Sequence, residues 1–326
     1  MRFSVIISFY NIEKYVNKCM DSVISQSFTD FEVIAVDDGS IDNTGKLLDQ
    51  YAEIDSRIKV IHKENEGVNK ARKTAANECV GDYIVIVDGD DWISIDYLEK
   101  IDRAITDKDI DVVITGYVEA FEDKSIKIKP NRVNGIVGTI TRDDMEKYLF
   151  PQLFSTMPVL WAKAFRRDLY VQYQMKVDDS IKMGEDSCIA FPCIINAKCI
   201  SIVDDTLYYY RQNPYSLTKH PKKYLPWEGT LKRIEFLESV LPLERYDLEQ
   251  QVAASAVKSI FNTVVSHMKN DNYNIVKKES DKHLKSQYNV RWFDSAISSK
   301  NKVAKILAII LKYRFYLIIK FWSIFH

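Results

Sequence analysis

Residues Ile84–Trp92 read IVIVDGDDW. A branched aliphatic run feeds straight into three aspartates and a tryptophan. Continuous apolar residues of this kind suit a strand buried on both faces, as in a parallel sheet. Three carboxylates at its end repel one another and resist burial unless something positive sits among them. Parallel α/β sheets bind ligands at the carboxyl ends of their strands. Residues two apart on a strand exit face the same side, so Asp88 and Asp90 are expected to converge, with Gly89 leaving room for a ligand beside the backbone. Oxygen-only ligation suits Mg²⁺ or Mn²⁺ shared with substrate phosphates. The competing reading is a polar turn in which Asp91 or Asp96 caps the next helix. A calcium EF-hand is rejected. Trp92 and Ile93 stand where it needs an oxygen ligand and a glycine, and a strand precedes the loop instead of a helix.

Outward from this stretch, strand and helix patterns alternate. FSVIISFY, FEVIAVDD and IKVIHKE read as three strands before it, and DVVITGYVEAF as one after. Helical spacing runs through IEKYVNKCMDSVISQ, TGKLLDQYAEI, VNKARKTAANEC and YLEKIDRAI. Ser40, Asp42 and Asn43 offer caps, and Gly81 is expected to end the third helix. The alternation predicts an α/β fold with a mostly parallel sheet covered on both faces. Residues 124–138 suggest a hairpin or loop, 141–220 mix helix and strand signals, and 224–290 read as two or three helices.

The chain has 326 residues, 46% apolar and 28% charged, with a net charge of −1. This is an ordinary globular balance, and no global field argues for nucleic acid. Five cysteines form no CxxC pair and read as reduced thiols in a cytosolic protein. The N-terminus reads as a first strand and not a signal peptide. No apolar run is long enough to span a bilayer.

FEVIAVDDGS also ends in paired aspartates, Asp37 and Asp38, and the first strand ends in SFYN with Tyr10 at its exit. Neighbouring strand ends therefore supply an aromatic ring, a carboxylate acceptor and a candidate metal site. An aromatic face can stack a base, and a carboxylate can accept from a base N–H. These parts describe a nucleotide-diphosphate pocket. No GxGxxG follows the first strand and no GxxxxGK[ST] occurs, which argues against a dinucleotide cofactor and a P-loop.

Over roughly residues 3–220 the sequence resembles family 2 glycosyltransferases, nucleotide-sugar-dependent inverting enzymes with a GT-A fold. The segments that carry the likeness are VIISFYNIEKYVNKCMDSVISQSFTDFEVIAVDDGSIDNT, NEGVNKARKTAA, GDYIVIVDGDDW, LWAKAFRRDLY, GEDSCIAF and LYYYRQNPYSLTK, in the family's order. The resemblance implies that Tyr10 stacks on the donor base and Asp38 hydrogen-bonds it. It also implies that Asn65 and Arg72 help hold the nucleotide, that Asp88 lies near ribose and metal, and that Asp90 ligates Mn²⁺ or Mg²⁺. Ser8, Phe9, Lys73, Ala75 and Gly89 depart from the family's common residues. They bear on which donor is bound more than on whether one is.

Inverting transfer needs a carboxylate to take the proton of the attacking hydroxyl. The resemblance assigns this to Asp186 of GEDSCIAF, with Glu185 in support. The rival reading is a helix-start carboxylate that complements the dipole. Arg211 is a candidate for gripping a diphosphate or acceptor phosphate. Trp161 and Lys163 are candidates for the acceptor side, with core packing favoured for Trp161.

The last 26 residues interleave lysine with Ile, Leu, Phe, Tyr and Trp. On one continuous helix Lys302, Lys305, Lys312 and Lys320 fall within an arc of about 80°, with Arg314 on the other side. This predicts a basic, aromatic-rich amphipathic helix, in one piece or two, that lies on anionic membrane or packs on protein.

The expected organisation is a GT-A domain over 1–220, comprising a nucleotide-sugar half (1–115) and an acceptor half (116–220). A helical region (221–326) follows, ending in the tail (300–326). The expected partners are a UDP-sugar donor, a glycan or lipid-linked oligosaccharide acceptor of the capsule, O-antigen or exopolysaccharide kind, and the cytoplasmic face of the cell membrane. A homo-oligomer is compatible with this reading, and nucleic acid is not. Two rivals are a nucleotidyltransferase on a similar sheet and a non-catalytic nucleotide-sugar-binding subunit.

Overall fold

The computed structural model describes residues 1–105, 109–130, 135–212, 226–285 and 287–325. Two compact units interleave along the chain. The first comprises Met1–Leu149, Pro158–Val177 and Ile189–Asn213, and the second Phe150–Met157, Asp178–Cys188 and Pro214–His326.

The first unit begins β1 (Phe3–Phe9), α1 (Glu13–Ile24), β2 (Phe31–Asp37), α2 (Thr44–Ile54), β3 (Ile58–His62), α3 (Val68–Glu78) and β4 (Tyr83–Asp88). It continues with β5 (Trp92–Ile93), α4 (Tyr97–Ile105), β6 (Val112–Ala120), β7 (Ile126–Lys129), β8 (Gly138–Thr141) and the single turn α5 (Arg142–Asp144). β9 (Lys163–Arg166), α6 (Arg167–Gln174) and β10 (Cys199–Arg211) complete it, while α7 (Ser187–Asn196) carries residues of both units.

The sheet order is β3-β2-β1-β4-β9-β6-β10-β5, with β7 on β6 and β8 on β10. β1 is parallel to β2 and β4, and β2 to β3. β6 and β10 are also parallel, while β9 runs antiparallel between β4 and β6. The expected mostly parallel α/β sheet is therefore present, and the 124–138 region includes a hairpin strand, β7 on β6. Residues 131–134 of that region lie outside the described residues.

The aliphatic runs are continuous because the central strands are covered on both sides. Val5, Ile7, Phe9, Val85 and Val87 share one cluster with Val16, Met20 and Val23 of α1 and Leu98 and Ile101 of α4. Ile6 and Ile34 point the other way by strand alternation and are equally buried. Each such side chain contributes about 1.5–3 kcal/mol relative to exposure.

One local expectation changes and a second is extended. Gly81 does not end α3, which stops at Glu78 with Cys79 in extended backbone. A Cβ on Gly81 would stand 2.6 Å from the Phe3 carbonyl carbon and the Ser4 nitrogen, so the glycine admits the start of β1. Asp42 serves two helices: its carboxylate accepts from the N–H of Thr44 at 3.0 Å and of Glu13 at 3.1 Å. Trp161 is core, as favoured. It stacks on Tyr208 and Tyr210 at 5.0 Å each, with Tyr117 edge-on at 4.9 Å. Lys163 is buried too, and its Nζ donates to the Val159 carbonyl at 2.8 Å.

The second unit consists mainly of α8 (Trp227–Val240), α9 (Leu248–Asn270), α10 (Tyr273–Leu284), α11 (Gln287–Ser298), α12 (Lys302–Lys312) and α13 (Tyr316–Phe325). Two segments expected inside the 1–220 domain belong here. The Gln251 side chain of α9 donates to the Phe150 carbonyl at 2.9 Å and accepts from the Phe154 N–H at 3.0 Å. Gly229 of α8 lies so close to Ser180 that a Cβ would meet its carbonyl oxygen at 2.4 Å.

The tail is two helices, broken where Arg314 adopts a left-handed φ of 58°. The lysine arc drawn on one continuous helix does not survive this break. Lys312 pairs with Asp294, and Lys320 Nζ donates to the Met268 carbonyl at 2.7 Å. Among the described residues no helix is long and apolar enough to cross a membrane. Residues 213–225, including the PYSLTK motif, lie outside the described residues.

Candidate functional site

β4 ends at Asp88, whose carbonyl accepts the Asp91 N–H at 2.9 Å and closes a turn. Asp90 is therefore set by a turn and not by strand alternation. A Cβ on Gly89 would stand 2.7 Å from side-chain atoms of Phe9 and Ile12 and 2.9 Å from the Ser8 carbonyl. On that side the space of Gly89 is filled by the protein itself, which corrects the expectation of open room. The glycine is needed so that the turn can pack on the exit of β1.

The three aspartates have different fates. Asp88 is half-buried and takes Arg72 Nη2 of α3 at 3.2 Å. Asp91 is fully buried. It is neither a helix cap nor a solvated turn residue: Tyr208 Oη donates to it at 2.7 Å and the Arg211 N–H at 2.8 Å. The Tyr208 hydroxyl in turn accepts the Asp88 N–H at 3.0 Å, so one tyrosine of β10 braces both ends of the turn. The antiparallel pairing of β5 with β10 fixes that register. Burial drives the Asp91 carboxyl well above the usual range, and Asp90 and Asp88 push it further. Burial also raises Asp90, against the pull of the Arg211 guanidinium. Cys19, fully buried on α1, has its thiol raised by burial first and then by the three aspartates.

Cations gather on the same turn. Arg211 Nε donates to the Asp90 carbonyl at 2.6 Å, and its guanidinium lies 4.7 Å over Tyr15 and 4.8 Å over Trp92. Lys18 Nζ sits 3.4 Å over the Trp92 ring, which stacks on Tyr209 at 5.3 Å. Burial lowers the Lys18 pKa, and Arg211 adds to the effect. Sequence reasoning missed Tyr15, Lys18, Trp92 and Tyr208. The one available signal was the three-residue spacing of Tyr15 and Lys18, which puts them on one face of α1.

The sheet order brings the other expected residues alongside, at the carboxyl ends of β1 and β2 and in the loop after β3. Tyr10 is 49% exposed. Asn11 follows in a left-handed conformation, donating its N–H to Ser40 Oγ at 3.0 Å and accepting the Ile41 N–H at 2.8 Å. The buried Asp38 carboxylate takes Lys63 Nζ at 2.9 Å and the N–H groups of Glu66 at 3.1 Å and Gly67 at 2.7 Å. It thereby organises the loop that holds the exposed Asn65. Gly39, at φ 75°, permits this: a Cβ there would stand 2.6 Å from the Asn65 nitrogen.

Glu185 and Asp186 belong to the second unit, in a turn before α7. Gly184 has a φ of 76°, and its carbonyl accepts the Ser187 N–H at 3.1 Å. Behind the turn lies a buried arginine that sequence reasoning also missed. Arg233 of α8 donates to Ser187 Oγ at 3.2 Å and to Ser259 Oγ at 2.6 Å. A Cβ on Gly184 would stand 3.0 Å from Arg233 Cδ. Burial lowers the Arg233 pKa, opposed by Cys188 and Glu185.

Comparisons with known proteins bear on the family and the fold. The family model for glycosyl transferase family 2 matches residues 4–169. The chain belongs to this family. It is 32% identical over 226 residues to the uncharacterized glycosyltransferase EpsJ of Bacillus subtilis, a match that covers 68% of this chain and 64% of that protein. It is 28% identical to the glycosyltransferase GlyA of Streptococcus pneumoniae over 67% of this chain, but spans only 32% of that protein. Among solved structures, Staphylococcus aureus TarS (residues 1–349) in complex with UDP aligns with 98% of this chain and 90% of its own, at a TM-score of 0.71 and 20% identity. The GT-A fold expected of the family is thus the fold observed.

Proposed function

We propose that the protein is an inverting glycosyltransferase. It moves a sugar from a UDP-sugar to a hydroxyl of a cell-surface glycan precursor, at the cytoplasmic face of the membrane where its C-terminal tail docks. The observation that carries this reading is the Asp88–Asp91 turn. It holds carboxylates raised by burial, one of them fully braced, beside Arg72, Arg211 and Lys18 at the carboxyl end of a parallel strand. The UDP held by TarS, and the UDP-GlcNAc held in another structure of that protein, support a uridine nucleotide donor.

Asp90 fits a divalent cation. Burial disfavours its charge, and among the described residues its carboxylate takes no side-chain hydrogen bond. No group of three or more His, Cys, Asp or Glu side chains is arranged to hold a metal among the described residues. Asp88 and Asp90 would therefore supply the protein's share and the diphosphate the rest. Bound there, Mn²⁺ or Mg²⁺ would neutralise charge on the leaving diphosphate.

The chain's own groups do the remainder. Tyr10 stacks on the uracil, the Asp38 and Asn65 loop holds the nucleoside, and Arg72 fixes Asp88. Arg211 meets phosphate charge. Asp186 takes the proton of the acceptor hydroxyl, supported by Glu185. The acceptor oxygen then bonds to the anomeric carbon from the side opposite UDP, and the bond to the diphosphate breaks with its electron pair leaving on UDP.

The test is UDP release from a panel of UDP-sugars with Mn²⁺ or with EDTA, with and without lipid-linked acceptor. Metal-dependent release from one sugar, lost in Asp90→Ala, is expected. If no UDP-sugar is turned over and calorimetry finds no metal-dependent UDP binding, the reading fails.

A further inference from the structure

The second unit carries an unusual surface, and the residues responsible lie on two adjoining parts of it. α13 buries Tyr316 and Ile319 but presents Leu317 at 74%, Phe321 at 65% and Ile324 at 66% exposure. α12 adds Val303 and Ile306, both more than half exposed. Water-facing apolar side chains in such number mark a surface made to be covered. Beside them, α10 lines an open cavity of about 370 Å³ with Asn274, Lys277, Lys278, Asp281, Lys282 and Lys285. All four lysines are exposed, and none forms an ion pair among the described residues.

Asp281 joins the two parts. It lines the cavity, accepts the Tyr316 hydroxyl at 2.8 Å and pairs with Arg314 at 3.3 Å. The start of the aromatic helix thus abuts the lysine cavity. Of the tail's cations, Lys312 pairs with Asp294 and Arg314 with Asp281, while exposed Lys302 forms no ion pair among the described residues. The unpaired positive charge therefore sits mainly on α10, a helix that the sequence pattern alone did not single out, with Lys302 of α12 adding to it.

We propose that this composite surface is a docking site for an anionic phospholipid bilayer. The α10 lysines hold lipid phosphates while the outward side chains of α12 and α13 enter the boundary between headgroups and acyl chains. Charge selects this occupant over a second copy of the chain. The four α10 lysines are exposed and without ion pairs among the described residues, so two copies meeting here would oppose like charges, whereas an anionic surface complements them. The proposal rests on the membrane part of the reading above and names the residues that carry it.

The experiment is co-sedimentation of the full chain with vesicles of phosphatidylcholine alone, or of phosphatidylcholine mixed with phosphatidylglycerol. Binding is expected to the mixed vesicles only, and to weaken with added salt. The double variant Lys277→Gln, Lys282→Gln should bind roughly 30-fold more weakly, from about 1 kcal/mol per lysine near an anionic surface. The double variant Leu317→Ser, Phe321→Ser should also bind more weakly. Both should hydrolyse UDP-sugar in vesicle-free solution like the unaltered protein, so failed docking and failed transferase chemistry are read separately. The proposal is overturned by absence of binding, by equal binding to neutral vesicles, or by unchanged binding of the lysine variant. Light scattering that shows a dimer lost in Leu317→Ser, Phe321→Ser would overturn it in favour of a second copy.

Discussion

Gly89-Asp90-Asp91 and Gly184-Glu185-Asp186 are nearly the same tripeptide, one in each unit, yet opposite charges stand behind them. Behind the first lies a buried anion, Asp91, held by a tyrosine hydroxyl and a backbone N–H. Behind the second lies a buried cation, Arg233, held by serine hydroxyls. A turn backed by a carboxylate gathers negative charge and draws in a positive group. A turn backed by a guanidinium keeps a positive charge beside Glu185. Two nearly identical tripeptides are thus set in opposite electrostatic surroundings, which suits the cation seat proposed for one and the base proposed for the other.

The sharpest way to break this contrast is to neutralise each turn in turn. Asp186→Asn should lower turnover by about 10²- to 10⁴-fold, the usual worth of a general base, while calorimetry still finds donor binding. Asp90→Asn should lose metal-dependent donor binding as well as turnover. It should also raise the metal-free melting temperature at neutral pH. Burial lifts the Asp90 pKa, so ionisation costs folded stability as pH rises above the ordinary value of about 3.9. A base that loses donor binding, or a metal seat that keeps it, would erase the distinction.

Next in size is Arg233→Met, which removes the charge behind the second turn. It should lower kcat about tenfold with little change in donor KM. Arg233→Lys, which keeps a charge beside Glu185, should restore part of the lost kcat. A kcat unchanged in Arg233→Met, or unrestored in Arg233→Lys, would leave Arg233 a packing residue.

Tyr208→Phe tests the brace of the first turn. It strips a donor from buried Asp91 and an acceptor from the Asp88 N–H, and should cost about 1–3 kcal/mol in urea unfolding. The smallest effect is at His62, which bridges Asp37 and Asp49 and has its pKa raised by both. Its stabilisation is present below the ordinary value of about 6.5 and is lost as pH rises through the raised value. The melting-temperature gap between the unaltered protein and His62→Gln should therefore close at alkaline pH. His62 is half exposed, so that gap is worth under about 1 kcal/mol.

The parts of the molecule legible in the sequence were those with local causes. β1 to β4 announce themselves because strands covered on both sides are apolar throughout, and Tyr10, Asp38 and Asp88 follow as their exits. The bracing of Asp91 is not legible in the sequence because its partners, Tyr208 and Arg211, lie more than a hundred residues away. Gly81 and Gly89 were given turn and ligand roles because nothing local reveals which strand packs against them. Nothing local marks Arg233, since its burial depends on Gly184 and Ser187 being brought against α8. The tail's lysine arc assumed one continuous helix, which the turn at Arg314 interrupts.

One pairing has a consequence for how the chain is made. β4 completes one side against β1, but its other neighbour is β9, Lys163–Arg166, with β6 beyond it. A growing chain emerging from a ribosome therefore displays β4 as a bare hydrophobic edge for the seconds needed to add the residues up to Arg166. Until then the strand that bears the aspartates is open to pairing with a neighbouring nascent chain. Synthesis rate and chaperone supply, more than final stability, should set how much of this protein is recovered soluble.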